Sequence, residues 1–400
     1  MAVTAGGIGG PRTAWAVLGA ISLCHMLNDV MQSLLAAVYP LLQAEFGLSF
    51  WQIGMMTFAF QVTASLLQPV VGMTTDRHPM PMSLPVGMAS TLCGLLVLGL
   101  AETYPMLLAG AMLIGLGSAV FHPEASRVAR MASGGRFGTA QSLFQVGGNA
   151  GSAIGPLLAA FVVVPLGRPA IAWFALLALV GIVILSRVGA WYAGEQRAAR
   201  TRPAPSRALP LPRRTVVTAI VILAVLTFSK NSYSASLSSY FTFFVMERFA
   251  LSTQAAQLML FLFLGASALG VAVGGFVGDR FGALTVIWVS ILGVLPFTLA
   301  LPHADLFFTC VLTVIIGAVL SMGFPAIVVF AQELVPGRVG MIAGVFFGFA
   351  FGIGGIAAAV LGVVADARGI EFVYRLCAWL PAVGLLTVFL PRRAAFARGG

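Results

Sequence analysis

The groups in this sequence able to do chemistry are few, and they stand where ionisable side chains are costly. Phe121-His122-Pro123-Glu124-Ala125-Ser126-Arg127 closes an apolar run that begins near Tyr104. A stretch of ~20 such residues is long enough to cross a bilayer. A charge at the centre of a spanning helix costs ~2.5–3.5 kcal/mol on insertion scales, so His122, Glu124 and Arg127 must face protein or water. Glu124 and Arg127 are three apart and share a helical face, which suits an ion pair, whereas His122 points elsewhere, toward a neighbouring helix. The first apolar run carries His25, Asp29 and Gln32 at spacings of four and three, with Asn28 beside the same stripe. Lys230, the only lysine of the chain, lies near the middle of the seventh run, among Asn231 and the serines and tyrosines of 232–240. Gln141, Gln145 and Asn149 form a polar stripe at i, i+4 and i+8 in the fifth run.

These residue types point to ion binding inside a membrane. A deep cation beside amides can hold an anion, and Lys230, His25, Asn28, Gln145, Asn149, Asn231, His122 and Arg127 are the candidates to contact one. Burial and a nearby cation pull a carboxyl pKa in opposite directions, so a carboxylate placed between them can cycle its proton. Asp29 and Glu124 are the candidates for that step. His25 and His122, with an ordinary pKa near ~6.5, could relay it. Asp29 and Lys230 are expected to face each other across a central cavity, so that anion and carboxylate compete for one cation.

The composition sets the solvent of the fold. Of 400 residues, 60% are hydrophobic and 8% charged, with a mean hydropathy of +1.01. A soluble domain would carry about 25% charged residues, so this is a polytopic membrane protein. The net charge of +10 comes from arginines placed mostly between apolar runs, which are topology signals rather than a nucleic-acid surface. Cys24, Cys93, Cys310 and Cys377 sit inside apolar runs without metal spacing and are expected to be packing residues. Neither an H-E-x-x-H nor a G-x-S-x-G motif occurs, which leaves an intramembrane enzyme without its constellation. The short Gly-rich start, Met1 to Arg12, is expected to carry no cleaved signal, because the run after it is too long for a signal-peptide core.

Apolar runs fall at 13–39, 51–73, 83–101, 105–128, 138–164, 169–192, 215–245, 255–278, 283–301, 304–330, 339–364 and 371–390, which predicts twelve spanning helices. The Arg- and Pro-rich stretch 194–214 reads as a linker between an N-terminal six-helix bundle (1–193) and a C-terminal one (215–400). With the N-terminus inside, only Arg168, Arg248, Arg368 and Arg375 fall on the outer side, so both termini are expected to be cytoplasmic. The halves also repeat. Gly72-Met-Thr-Thr-Asp76-Arg77 recurs as Gly275-Phe-Val-Gly-Asp279-Arg280 at an offset of 203. Pro123 and Gly135-Arg136-Phe-Gly138 recur as Pro325 and Gly337-Arg338-Val-Gly340 at 202. The offset of 203 also pairs Asn28 with Asn231. Parallel halves with a site between them at mid-membrane are a transporter architecture.

Here the sequence resembles the major facilitator superfamily, whose loop signature G-x-x-x-D-R stands after helix 2 and again after helix 8. Gly151-Ser-Ala-Ile-Gly155-Pro156-Leu-Leu-Ala159-Ala160 resembles its antiporter motif, with alanines for the last two glycines. Within the superfamily the likeness is greatest to the fosmidomycin-resistance drug-efflux family. It is carried by His25 to Asp29, Tyr39 to Gln43, Ser65 to Gly72, Phe121 to Gly135, Gln145 to Asn149, Gln332 to Leu334 and Phe346 to Gly352. The resemblance implies an all-α membrane protein with two pseudo-symmetric six-helix bundles, in the bacterial inner membrane. It further implies an antiporter that exports small anionic drugs such as a phosphonate antibiotic against proton entry. No cofactor is expected besides the proton gradient. The expected working unit is a monomer in the lipid bilayer, with no nucleic-acid partner. Asp76, Arg77, Asp279, Arg280, Glu333 and Arg338 are the expected gating residues on the cytoplasmic face. Uptake or exchange of an organic anion or metabolite is the alternative, since the cavity would look the same.

Overall fold

The computed structural model describes residues 13–48, 50–200, 209–251 and 253–392. The basic stretch 201–208 and both chain ends, with the cytoplasmic placement expected for them, lie outside the described residues. Among the described residues twelve helices follow the twelve runs, with a short helix, Tyr39–Phe46, between the first two: α1 (Trp15–Ala37), α2 (Met55–Arg77), α3 (Ser83–Gly99), α4 (Tyr104–Ala132), α5 (Phe137–Leu166), α6 (Arg168–Ala198), α7 (Arg213–Phe249), α8 (Leu258–Phe281), α9 (Ala283–His303), α10 (Leu306–Leu334), α11 (Val339–Ala365) and α12 (Ile370–Phe389). Ten of them are both long and apolar enough to cross a membrane. The other two have local reasons for falling short. The helix α3 has only 17 residues, and the 23 residues of α1 include the polar stripe from His25 to Gln32. The helix after Ala175 runs on to Arg200 and α7 starts at Arg213, so both ends of the expected linker 194–214 are helical.

Large apolar side chains such as Phe58, Phe161, Leu269, Val363 and Phe389 are exposed on the outside of the bundle. In hydrocarbon that exposure carries no penalty, and inter-helix contact must come from close packing of small residues instead. On α5, Gly147, Gly151 and Gly155 serve that purpose. A Cβ at any of them would run into α1 at Ser22, Met26 or Ser33 respectively. This brings the α1 and α5 backbones together and puts the polar stripe of α1 against α5.

The two halves meet where α2 packs on α11 and α5 packs on α8. Gly72 lies against Gly340, and Gly275 lies against Gly138 and Ser142, so a methyl group at either Gly72 or Gly275 would strike backbone or Ser142. The pseudo-two-fold of the sequence is therefore realised in the packing. It shows again at the opposite end of the bundle. Arg168 donates to Glu45 at 2.8 Å in the first half, and Arg248 to Glu371 at 3.2 Å in the second. The two pairs correspond at the 203-residue offset with their charges exchanged.

Candidate functional site

Between the halves lies a cavity of about 520 Å³. From α5 it is lined by Gln145, Asn149 and Ser152, from α7 by Lys230, Asn231, Ser234 and Ser238, and from the remaining C-terminal helices by Ser267, Ser321, Phe324 and Phe347. Lys230 is 9% exposed, and among the described residues no carboxylate lies within ion-pair distance of it. Its Nζ stands 5.9 Å from the centre of the Phe324 ring, a weak cation–π contact. Beside it, the buried Asn231 Nδ2 has no hydrogen-bond acceptor, and on the facing wall the buried Gln145 Oε1 has no donor. Gln145 Nε2 donates to Asn149 Oδ1 at 3.3 Å. The chamber thus offers an uncompensated cation and free donors on one wall, and a free acceptor on the other.

The expected Asp29–Lys230 pair does not form. The close α1–α5 packing turns Asp29 toward its own half, where Oδ2 lies 3.5 Å from His25 Nε2 and Oδ1 lies 3.7 Å from His122 Nε2. Asn28 and Gln32 donate to Oδ1 at 3.2 and 3.3 Å, and Ser152 reaches Oδ2 at 3.5 Å from α5. His25, Asn28 and His122, expected to contact the anion, are buried behind the chamber rather than in its lining. His122 does meet another helix, as its angular position required.

Arg127 and Glu124 are also placed differently from expectation. Their ion pair forms at 3.0 Å, but both sit toward the arginine-rich end of the bundle and away from the chamber. Arg127 also donates to Asp76 Oδ1 at 2.6 Å, to the Thr75 carbonyl at 2.7 Å and to Thr75 Oγ1 at 2.9 Å. With both terminal nitrogens bound to α2 and Glu124, Arg127 is held at that end and does not line the chamber. Glu124 accepts from Ser83 Oγ at 3.2 Å as well.

The seal at that end is built from two carboxylates that cross between the halves. Asp76 accepts from the Gly340 and Met341 amides at the start of α11, at 3.0 and 2.8 Å. Asp279 accepts from the Gly138 and Thr139 amides at the start of α5, at 2.8 and 2.9 Å, and from Thr139 Oγ1 at 2.6 Å. Helix N-termini present unpaired N–H groups and a positive dipole end, so each carboxylate caps a helix of the opposite half. Arg130 donates to Gln332, which donates to Ser126, which donates to Gln141. Of the expected gating residues, Asp76 and Asp279 occupy this seal. Arg77 and Arg280 are exposed, Arg280 lying over Phe281. Glu333 sits within electrostatic reach of Arg130 at the end of α10, while Arg338 precedes α11 and among the described residues makes no ion pair.

Sequence reading missed Ser267, Ser321, Phe324 and Phe347. The repeat register carries a signal for two of them, since Phe324 stands opposite His122 and Phe347 opposite Gln145 at the offset of 202.

A two-half bundle of membrane helices, sealed at one end and hollow at its middle with polar groups converging on the hollow, is the build of an alternating-access transporter. The chain belongs to the Major Facilitator Superfamily, whose family model matches residues 21–359. It is therefore a multi-pass membrane transporter and not an enzyme. It is 59% identical over 380 residues to the fosmidomycin resistance protein of Escherichia coli (strain K12), covering 95% of this chain and 94% of the relative. It is 39% identical to an uncharacterized MFS-type transporter of Bacillus subtilis (strain 168), covering 95% and 93%. Among solved structures, its fold is similar to that of the transporter FucP in the outward conformation, with TM-score 0.73 and 17% identity over 94% of this chain and 98% of that one. It is also similar to the human organic anion transporter MFSD10, with TM-score 0.74 and 16% identity over 94% and 99%.

Proposed function

We propose that the protein is a bacterial inner-membrane antiporter that exports small anionic drugs of the phosphonate class, fosmidomycin among them, in exchange for protons. The observation that carries this reading is Lys230: the only lysine, buried in the chamber wall with no carboxylate among the described residues to balance it. A lone cation at that depth costs several kcal/mol unless an anion joins it, so the chamber is built to receive a negative charge. The name of the 59%-identical relative supports a phosphonate as that anion. The Asn231 amide, the neighbouring serines and the apolar Phe324 and Phe347 rings suit a short anion with an apolar stem. Asp29 is the proton-carrying carboxylate in this reading. Glu124, held by Arg127 beside the seal, instead helps to fix Asp76. The sealed end is cytoplasmic by the arginine distribution, so the chamber stands open toward the periplasm, ready to release drug and admit a proton.

The test is fosmidomycin transport into inverted vesicles acidified inside, with the wild type and a Lys230→Ala variant. Transport by the wild type should need the proton gradient, and Lys230→Ala should lower uptake at least tenfold with the protein still present in the membrane. Uptake by the wild type that ignores the gradient would remove the proton from the cycle. Undiminished uptake by Lys230→Ala would remove Lys230 from the site.

A further inference from the structure

Besides the Asn28, Gln32 and Ser152 donors, the Asp29 carboxylate faces two imidazole nitrogens that can bond to it only if a proton lies between them. His25 Nδ1 is 2.7 Å from the Phe144 carbonyl, and His122 Nδ1 is 3.0 Å from the Ser118 carbonyl. A carbonyl only accepts, and the Ser118 hydroxyl, 3.2 Å from His122 Nδ1, gives its own hydrogen to Gln32 Oε1 at 2.9 Å, so in both rings the Nδ1 atom carries the hydrogen and donates it. In the neutral rings both Nε2 atoms are then bare lone pairs, and both are turned to the Asp29 carboxylate, at 3.5 and 3.7 Å. His25 Nε2, fully buried, has no hydrogen-bond partner of its own. Three acceptors therefore converge in a space closed by Phe121, Phe144 and Phe347. Gly148 of α5 closes the last side, since a Cβ there would strike the His25 ring and the Asp29 carboxylate. Lone pairs aimed at a carboxylate repel it, and one proton converts that repulsion into a hydrogen bond.

We infer that His25, Asp29 and His122 together form one proton-binding cluster, in which a single proton is shared between the carboxylate and the two inward-facing imidazole nitrogens. With the proton the cluster is neutral overall, as a carboxylic acid beside two neutral rings or as an imidazolium beside a carboxylate. Without it the cluster carries one negative charge. The proton comes from water in the chamber at the Ser152 side, where the Asp29 side chain is 10% exposed, and returns the same way. Other titratable groups stay apart: Glu124, next on α4, is held by Arg127, and the Cys24 thiol of α1 turns to the Gly181 carbonyl of α6. Among the described residues, α5 and α11 turn Ser152, Gly148 and the Phe144 and Phe347 rings toward the cluster. The inference rests on the reading of proton-coupled export and adds that both histidines belong to the proton site.

Nitrogen NMR of histidine-labelled wild-type protein tests the cluster without drug or gradient. His78 and His303, both exposed, serve as references. At alkaline pH both buried rings should be Nδ1–H tautomers, and on acidification their Nε2 signals should move together with one midpoint. Nε2–H tautomers, or two independent midpoints, would overturn the shared site. In proteoliposomes, His25→Gln and His122→Gln should each move the pH midpoint of fosmidomycin export at least tenfold in proton concentration. Asp29→Asn should make export pH-independent while fosmidomycin/fosmidomycin exchange persists. Histidine variants with the wild-type midpoint would leave the rings as packing only. Stoichiometric zinc bound by the wild type and lost in Asp29→Asn would make the cluster a metal centre and also overturn the proposal. If the wild type exchanges no fosmidomycin at all, the export reading fails, whereas the NMR result judges the cluster by itself.

Discussion

Two buried cations in this chain make opposite bargains with their surroundings, and substitution should separate them. Arg127 is held between Asp76 and Glu124 and donates to backbone and hydroxyl oxygens as well. Removing it strands two buried carboxylates, a loss of about 3–5 kcal/mol for a broken buried pair. Arg127→Gln should therefore lower the thermal midpoint of the detergent-solubilised protein by several degrees and reduce its level in the membrane. Among the described residues Lys230 has no such partner, so Lys230→Met exchanges an uncompensated charge for an apolar side chain of similar length. That change should raise stability by about 1–3 kcal/mol, while fosmidomycin binding is lost. A Lys230→Met protein less stable than the wild type would mean that the lysine is a structural cation after all. The difference between these two residues was half legible in the sequence. Spacing gave the Glu124–Arg127 pair, and the solitary lysine marked the chamber. Spacing could not give Asp76, fifty-one residues upstream of Arg127, because a helical repeat fixes direction around one helix and says nothing of which helix stands there.

The same limit governed α1. Its stripe of His25, Asn28, Asp29 and Gln32 shares a face, as the spacing predicts, but that face does not line the chamber. The glycines of α5 decide the matter by drawing α1 close and turning that face toward α4 and α5. The crossed caps were better foreshadowed, since the repeated G-x-x-x-D-R stretch puts each aspartate at the end of its helix. Asp279 is the cleaner of the two to test, because Asp76 also anchors Arg127. Losing a side-chain cap costs about 0.5–2 kcal/mol, which is a twofold to thirtyfold change in a two-state population. Asp279→Ala should favour opening at the arginine-rich end by that factor. Spin labels at the exposed Met80 and Thr285, in the matching α2–α3 and α8–α9 corners, should then report a larger share of long distances. An unchanged distance distribution would mean that the α2–α11 and α5–α8 glycine contacts hold the seal without the caps.

The repeat is most informative where it fails. At the offset of 203, His25 stands against Phe228, Asp29 against Ser232, and Leu27 against Lys230; at 202, His122 stands against Phe324. The acidic cluster thus belongs to one half and the lone cation to the other, so any exchange of proton for anion has to be communicated between bundles. A chain of rings connects the two. His122 lies 5.3 Å from Phe347, Phe347 lies 5.1 Å from Phe324, and Phe324 carries Lys230 at 5.9 Å. Phe347 also borders the chamber, and so stands between its water and the histidines. Phe347→Ala should open that partition. Removing a buried Phe leaves a cavity and costs about 3–5 kcal/mol, so Phe347→Leu is the milder companion. If the ring separates the two sites, proteoliposomes carrying either variant will dissipate a pH gradient faster than the wild type in the absence of drug, with the alanine variant the leakier. Fosmidomycin exchange should survive in the leucine variant, because Lys230 and Asn231 remain. A tight membrane in both variants, with exchange lost, would reduce Phe347 to a wall of the binding chamber and require another route for coupling between the halves.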